Sequence, residues 1–156
     1  MSEQQTLGTL LRHLTDQLES AVEAAYVTAG LAYRPRYTPI VRALRVLGST
    51  SIREIAEHAG ISHSAASQTV AQMASRKLVS LKPGADARER IVSMTPAAIA
   101  MLPKVEKQWA ITNAAANALD AELSTPLSGV LREAIAALEK RPMSERLAAH
   151  ARKVQR

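Results

Sequence analysis

Apolar residues recur three and four positions apart from the start of the chain: Leu7, Leu11, Leu14, Leu18, Val22 and Ala25, with Leu10 and Ala21 beside them. That spacing predicts one long amphipathic helix over about residues 5–29, stopped at Gly30. Thr38 before Pro39 has the form of an N-cap with proline at the first helical position, opening a short helix through Ile40, Val41 and Leu44 to Gly48. Ser51 with Glu54 forms a capping-box pattern ahead of Ile52, Ile55 and Ala56, and Gly60 ends that helix. Ser62 then caps a third helix whose apolar positions are Ala66, Val70 and Met73, with Ile61 just before the cap. The order is helix, tight turn, helix.

After Lys77 the pattern changes. Leu78 to Leu81 and Ile91 to Met94 read as two strands around the charged stretch Lys82 to Arg90, a hairpin placed where a wing would follow a helix-turn-helix. Thr95-Pro96 restarts helix, with Ile99, Leu102, Trp109 and Ala116 as the expected buried stripe and a kink expected at Pro103. Ser124-Thr125-Pro126 opens the next helix, where Leu127, Val130, Leu131, Ala134, Ile135 and Leu138 make the cleanest amphipathic stripe of the chain. Beyond Pro142 only Leu147, Ala151 and Val154 share a face, which fits either a marginal helix or a disordered tail. The fold class is mostly α: a winged helix-turn-helix with a two-stranded β-wing, residues 34–94, and a helical region from residues 1–33 and 95–156.

Composition agrees with a helical body. Of 156 residues 47% are hydrophobic but only 3% aromatic, with no Phe, so the expected core is Leu, Ile, Val, Met and Ala. No apolar run reaches the roughly 18 residues that read as a membrane span, and the N-terminus lacks signal-peptide order, so a cytoplasmic location is expected. The absence of cysteine excludes disulfides, thiolate zinc sites and thiol-based sensing. The net charge of +6 is segregated: residues 1–33 hold one Arg against four acids, residues 34–90 ten Lys/Arg against four, residues 91–139 three against five, and residues 140–156 six against one. A basic centre between acidic flanks points to a polyanionic partner.

The outward positions of the third helix are His63, Ser64, Ser67, Gln68, Ala71 and Gln72, a small polar surface with no acid to repel phosphate. A helix of this kind fits the major groove of duplex DNA, where glutamine pairs with adenine, so Gln68 is the candidate base reader and His63 reaches a base edge or phosphate. Ser62 and Ser64 suit phosphate contacts at the helix N-terminus. In the loop, Arg88 is placed to enter the minor groove, with Lys82 and Arg90 on phosphates. The same features also fit a charged loop and a solvated helix face.

In these residues the chain resembles the MarR family of winged helix-turn-helix transcription regulators. The resemblance rests on Ile52-Arg53-Glu54-Ile55-Ala56 through Gly60-Ile61-Ser62, on Ser64 to Val70, on Leu78-Val79, on Asp86-Ala87-Arg88 and on Met94-Thr95-Pro96. It implies a homodimer held by the first and last helices, a recognition helix from Ser62 to about Arg76, Arg88 in the minor groove, and a palindromic operator, with repression the commoner outcome. It departs from the family pattern at Lys77 and Ala98, where many relatives have glycine, and at Ala87, where the wing often has Asp-Gly-Arg. The resemblance also implies a small aromatic or anionic effector, for which His13, Tyr26, Tyr33, Arg34, Arg36, Tyr37 and Trp109 are the candidates; aromatics at a helix junction equally serve as core. No cofactor or metal is expected, because the four histidines are dispersed, and no phosphate loop or nucleophile pattern suggests an enzyme. A winged helix used for protein interaction, for RNA or for non-specific DNA binding remains the alternative.

Overall fold

In the computed structural model, residues 6–86 and 89–154 are described. The chain divides into two compact units, Met1–Trp109 and Ala110–Arg156. The first holds α1 (Leu7–Thr28), a 3-10 turn (Pro35–Tyr37), α2 (Thr38–Leu47), β1 (Thr50–Ser51), α3 (Ile52–Ala59), α4 (His63–Ser75), β2 (Val79–Pro83), β3 (Arg90–Met94) and the opening of α5 (Pro96–Glu122). The rest of α5, α6 (Leu127–Lys140) and α7 (Met143–Val154) make the second.

Local chemistry sets the helix ends. Ser51 accepts from the Glu54 amide at 3.2 Å while the Glu54 carboxylate accepts from the Ser51 amide at 3.2 Å, closing the expected capping box. Ser62 caps α4 by accepting from the Ala65 amide at 3.1 Å. Three helices end in one way, on a left-handed residue: Gly30 (φ 67°), Gly60 (φ 65°) and Lys77 (φ 58°). At Lys77 the Leu78 amide donates to Met73 O and the Lys77 amide to Ala74 O, each at 2.9 Å, which is a Schellman stop. A side chain with a Cβ pays for left-handed backbone, so Lys77→Gly is expected to stabilise the protein by up to about 1 kcal/mol, read as a raised urea midpoint at unchanged slope.

The structure differs from the sequence expectation at several points. The sheet has three antiparallel strands in the order β1-β3-β2, not two, because Thr50 and Ser51 pair with Val92 and Ile91. Two residues are too few to show alternation. The β2–β3 register runs from Val79↔Met94 to Pro83↔Arg90. Thr38 is the first residue of α2 rather than its cap, since the 3-10 turn already delivers the chain in helical geometry and Tyr37 is the N-cap, without a side-chain bond. In α5 the buried residues are Ala98, Val105 and Gln108, whereas Ile99 is exposed and Ala116 lies on the surface. The expected stripe was out of phase by a residue. Leu102 and Trp109 flank the core as half-buried neighbours, and the helix runs through Pro103 without ending. The tail beyond Pro142 is helical.

The core of the first unit joins α2, α3, α4, β3 and α5 through Ile40, Ile55, Val70, Met73, Val92 and Val105, each at most 1% exposed. It also takes all three tyrosines, against the aliphatic core that composition suggested: Tyr26 and Tyr33 rings lie 4.9 Å apart and Tyr33 and Tyr37 5.6 Å apart, edge to face. The apolar stripes of α1 and α6 behave otherwise. Leu7, Leu10, Leu11 and Leu18 are exposed, as are Val130, Leu131, Ile135 and Leu138, and α6 has no buried residue.

Candidate nucleic-acid interface

Helix α4 buries Ala66, Val70 and Met73 and turns the opposite face outward. His63, Ser64, Gln68 and Ala71 are exposed on that face, with Ser67 and Gln72 half-buried beside them. Ser62 sits at the helix start with one lone pair committed to the cap. Gln72 Oε1 is buried and meets no hydrogen-bond partner among the described residues. No large apolar side chain of α4 is exposed. Free hydroxyl, amide and imidazole groups thus stand at the N-terminal half of a helix held rigidly from behind, the half that reaches base edges when a helix enters the major groove.

The wing lies next to this face. Gly84 donates to Glu89 O and Glu89 to Asp86 O, each at 2.9 Å, and a Cβ on Gly84 would come within 2.9 Å of the Glu89 carboxylate, which would have to shift to admit it. Lys82 and Arg90 are exposed near the base of the hairpin, as the sequence placed them. Arg88 lies outside the described residues. Arg53, Ser51, His63, Ser67, Glu89 and Arg90 line one open groove running between the start of α3, α4 and the wing. Arg53 was not among the sequence candidates. Its signal was there to be used, because the second residue after a capping serine lies on the first turn of α3, beside the helix that follows the tight turn.

Of the effector candidates, Tyr26, Tyr33 and Tyr37 pack ring to ring, whereas His13 and Arg36 stand apart on exposed positions. His13 is exposed on α1 and hydrogen-bonded to Gln17 at 3.1 Å, about 20 Å along the helix axis from Tyr26 at 1.5 Å per residue. Arg36 is exposed at a shallow charged groove with Glu19 and Glu23, where Arg34 pairs with Glu23 at 3.6 Å. Tyr33 and Tyr37 are core residues: the Tyr33 hydroxyl donates to Thr38 Oγ1 at 3.3 Å, and the Tyr37 hydroxyl has no partner among the described residues. Trp109 lies under the Arg42 guanidinium, 4.9 Å from the ring centroid, and Arg45 pairs with Glu106 at 2.6 Å one turn away. Tyr33 does border a small apolar cleft with Val41, Leu78 and Val105.

Burial pushes the Tyr33 and Tyr26 hydroxyls above the usual phenol range. A raised folded-state value means that their neutral forms are stabilised by folding. That stability is complete below the free phenol value of about 10 and is lost as pH climbs above it. Unfolding midpoints are therefore expected to fall steeply above about pH 10, with tyrosinate absorbance appearing together with unfolding rather than before it, and Tyr33→Phe is expected to flatten the fall.

Among the described residues no group of three or more His, Asp or Glu side chains could hold a metal ion, and no helix is long and apolar enough to cross a membrane. Residues 33–89, from Tyr33 through α4 to the wing, match the MarR family model. Over this segment the chain is similar to the MarR family. Solved structures extend the likeness to the fold of nearly the whole chain. The fold matches that of the M. tuberculosis transcriptional regulator MOSR, in a complex with DNA, at 22% identity and a TM-score of 0.67, over 94% of this chain and 97% of that one. A probable transcriptional regulator from Pseudomonas aeruginosa matches at 24% identity and 0.61, over 85% and 96%. PcaV from Streptomyces coelicolor, in complex with its natural ligand, matches at 19% and 0.61, over 90% and 99%. No curated protein matches the sequence.

Proposed function

We propose that this chain is a transcription regulator that binds duplex DNA as a homodimer, inserting α4 in the major groove and the wing in the adjacent minor groove. The observation that carries the reading is the outward face of α4: polar, free of acids and large apolar groups, and flanked by the cations Arg53, Lys82 and Arg90 on a MarR-type winged helix. An interaction module for protein would present apolar residues on that face. Gln68, with Ser64, Ser67 and His63, reads bases; Ser62, Arg53, Lys82 and Arg90 hold phosphates; Arg88 enters the minor groove. Gln72 supports the reading face from its inner edge. The apolar residues left exposed on α1 and on α6 are covered by a second copy, so residues 1–33 and 95–156 form the dimerisation region, and the two recognition helices address half-sites of a palindrome about 34 Å apart. Covering a promoter in this way represses it. A small aromatic or anionic effector releases the DNA by binding one arrangement of the helices better than the other. The protein works in the cytoplasm and not as an enzyme.

The test is binding to fragments of its own upstream region across a salt series with random duplex as competitor. Saturable binding that survives competitor is expected. Arg88→Ala should weaken binding to every duplex and reduce the salt slope by about 1, while Gln68→Ala should cost about 1–3 kcal/mol on the operator and little on random DNA. Equal losses on both duplexes for both variants would defeat this division of roles, and no binding at low salt would defeat the reading itself.

A further inference from the structure

The chain has no cysteine, and its sulfur resides in five methionines. Three of them, Met73 from α4, Met94 from the end of β3 and Met101 from the opening of α5, converge on the one small cleft that Val41, Leu78 and Val105 complete. Every lining residue is apolar apart from the Tyr33 hydroxyl. Met73 is fully buried, and Met94 and Met101 are half-buried. Leucine would fill comparable volume at little cost, which makes three thioethers from three elements at one point a feature of chemistry as well as packing.

The cleft sits where the recognition helix is tied to the wing. The Schellman stop at Lys77 ends α4 there, the Thr95 hydroxyl donates to Lys77 O at 2.8 Å and the Thr95 amide donates to Leu78 O at 3.1 Å. We propose that Met94 and Met101 are oxidation sites through which a two-electron oxidant loosens α4 and lowers DNA affinity; the DNA consequence rests on the function proposed above. The sulfur lone pair attacks one oxygen of hydrogen peroxide, the S–O bond forms as the O–O bond breaks, and the proton carried on the transferred oxygen passes to the departing hydroxide, leaving sulfoxide and water. Sulfur is oxidised and peroxide reduced. The new oxygen is strongly polar and meets an apolar wall, so it must turn toward water and part α4, β3 and α5 at their junction.

The full chain decides this in a Met143→Leu background, because Met143 is 57% exposed and would react first. After peroxide, peptide mass spectrometry is expected to find sulfoxide at Met94 and Met101. Affinity for the operator should fall at least tenfold and the melting temperature by about 3–6 °C, and both should recover with the pair of methionine sulfoxide reductases that repair the two epimers. Adding Met94→Leu and Met101→Leu should leave the untreated protein folded and make both readings indifferent to peroxide. Equal losses in that variant would overturn the proposal, as would unchanged affinity and melting once sulfoxide is mapped at both sites. Absence of sulfoxide there, at a dose that converts Met143 in the parent chain, would overturn it too. If untreated protein bound no duplex, the function proposed above would fail, while the melting and mapping arms would still decide the oxidation sites.

Discussion

Replacing Ile135 and Leu138 on α6 with aspartate is expected to turn the protein monomeric and to lower its operator affinity at least a hundredfold. Both side chains are exposed, at 57% and 45%, so the substitutions remove nothing from the core of either compact unit. In the proposed dimer the aspartates would be buried against a second copy, where unpaired charge is costly. A dimer on two half-sites gains from the second contact becoming intramolecular, an advantage of about 10²–10⁴, and the monomer forfeits it. Sedimentation equilibrium and operator titration measure the two halves of the prediction, with helical content checking that the chain stays folded. A variant that remains dimeric would show that α6 does not carry the interface.

Ile55→Ala is expected to destabilise the first unit by about 2–5 kcal/mol, a large share of the 5–15 kcal/mol typical of a domain. Ile55 is fully buried on α3 within the same core as Val70 and Met73 of α4, so the cavity opens behind the reading face. Ile55→Val should cost only about 0.5–1.5 kcal/mol, and Ser51→Ala, which removes the cap and leaves the packing, about 1 kcal/mol. Urea unfolding orders the three. A loss from Ile55→Ala below that of Ser51→Ala would mean that capping, not burial, holds the helix pair together.

The parts of the fold legible in the sequence were those written in short-range chemistry. Ser51, Glu54, Gly60 and Ser62 set the helix-turn-helix because a cap and a left-handed stop act within a few residues, and the acid-free face of α4 followed from its period. What was misread depends on distant partners. Strand β1 exists only because β3 lies beside it, and the phase of α5 is set by which neighbouring positions meet the core, Ala98 rather than Ile99. The effector candidates were chosen as aromatics and cations near a junction; the fold gathers Tyr26, Tyr33 and Tyr37 in the core and leaves Arg36 and His13 exposed. Arg53 escaped notice because its value comes from a wing some thirty residues later in the chain.

The pairing of Arg42 with the indole ring makes the protein its own gauge. Trp109 is the sole tryptophan, so emission excited in the far red edge of protein absorption comes from a single place, the seam where α2 meets α5. Any event that slides those helices, whether operator, effector or oxidant, would lift the guanidinium from the ring and alter the emission without a label having been attached.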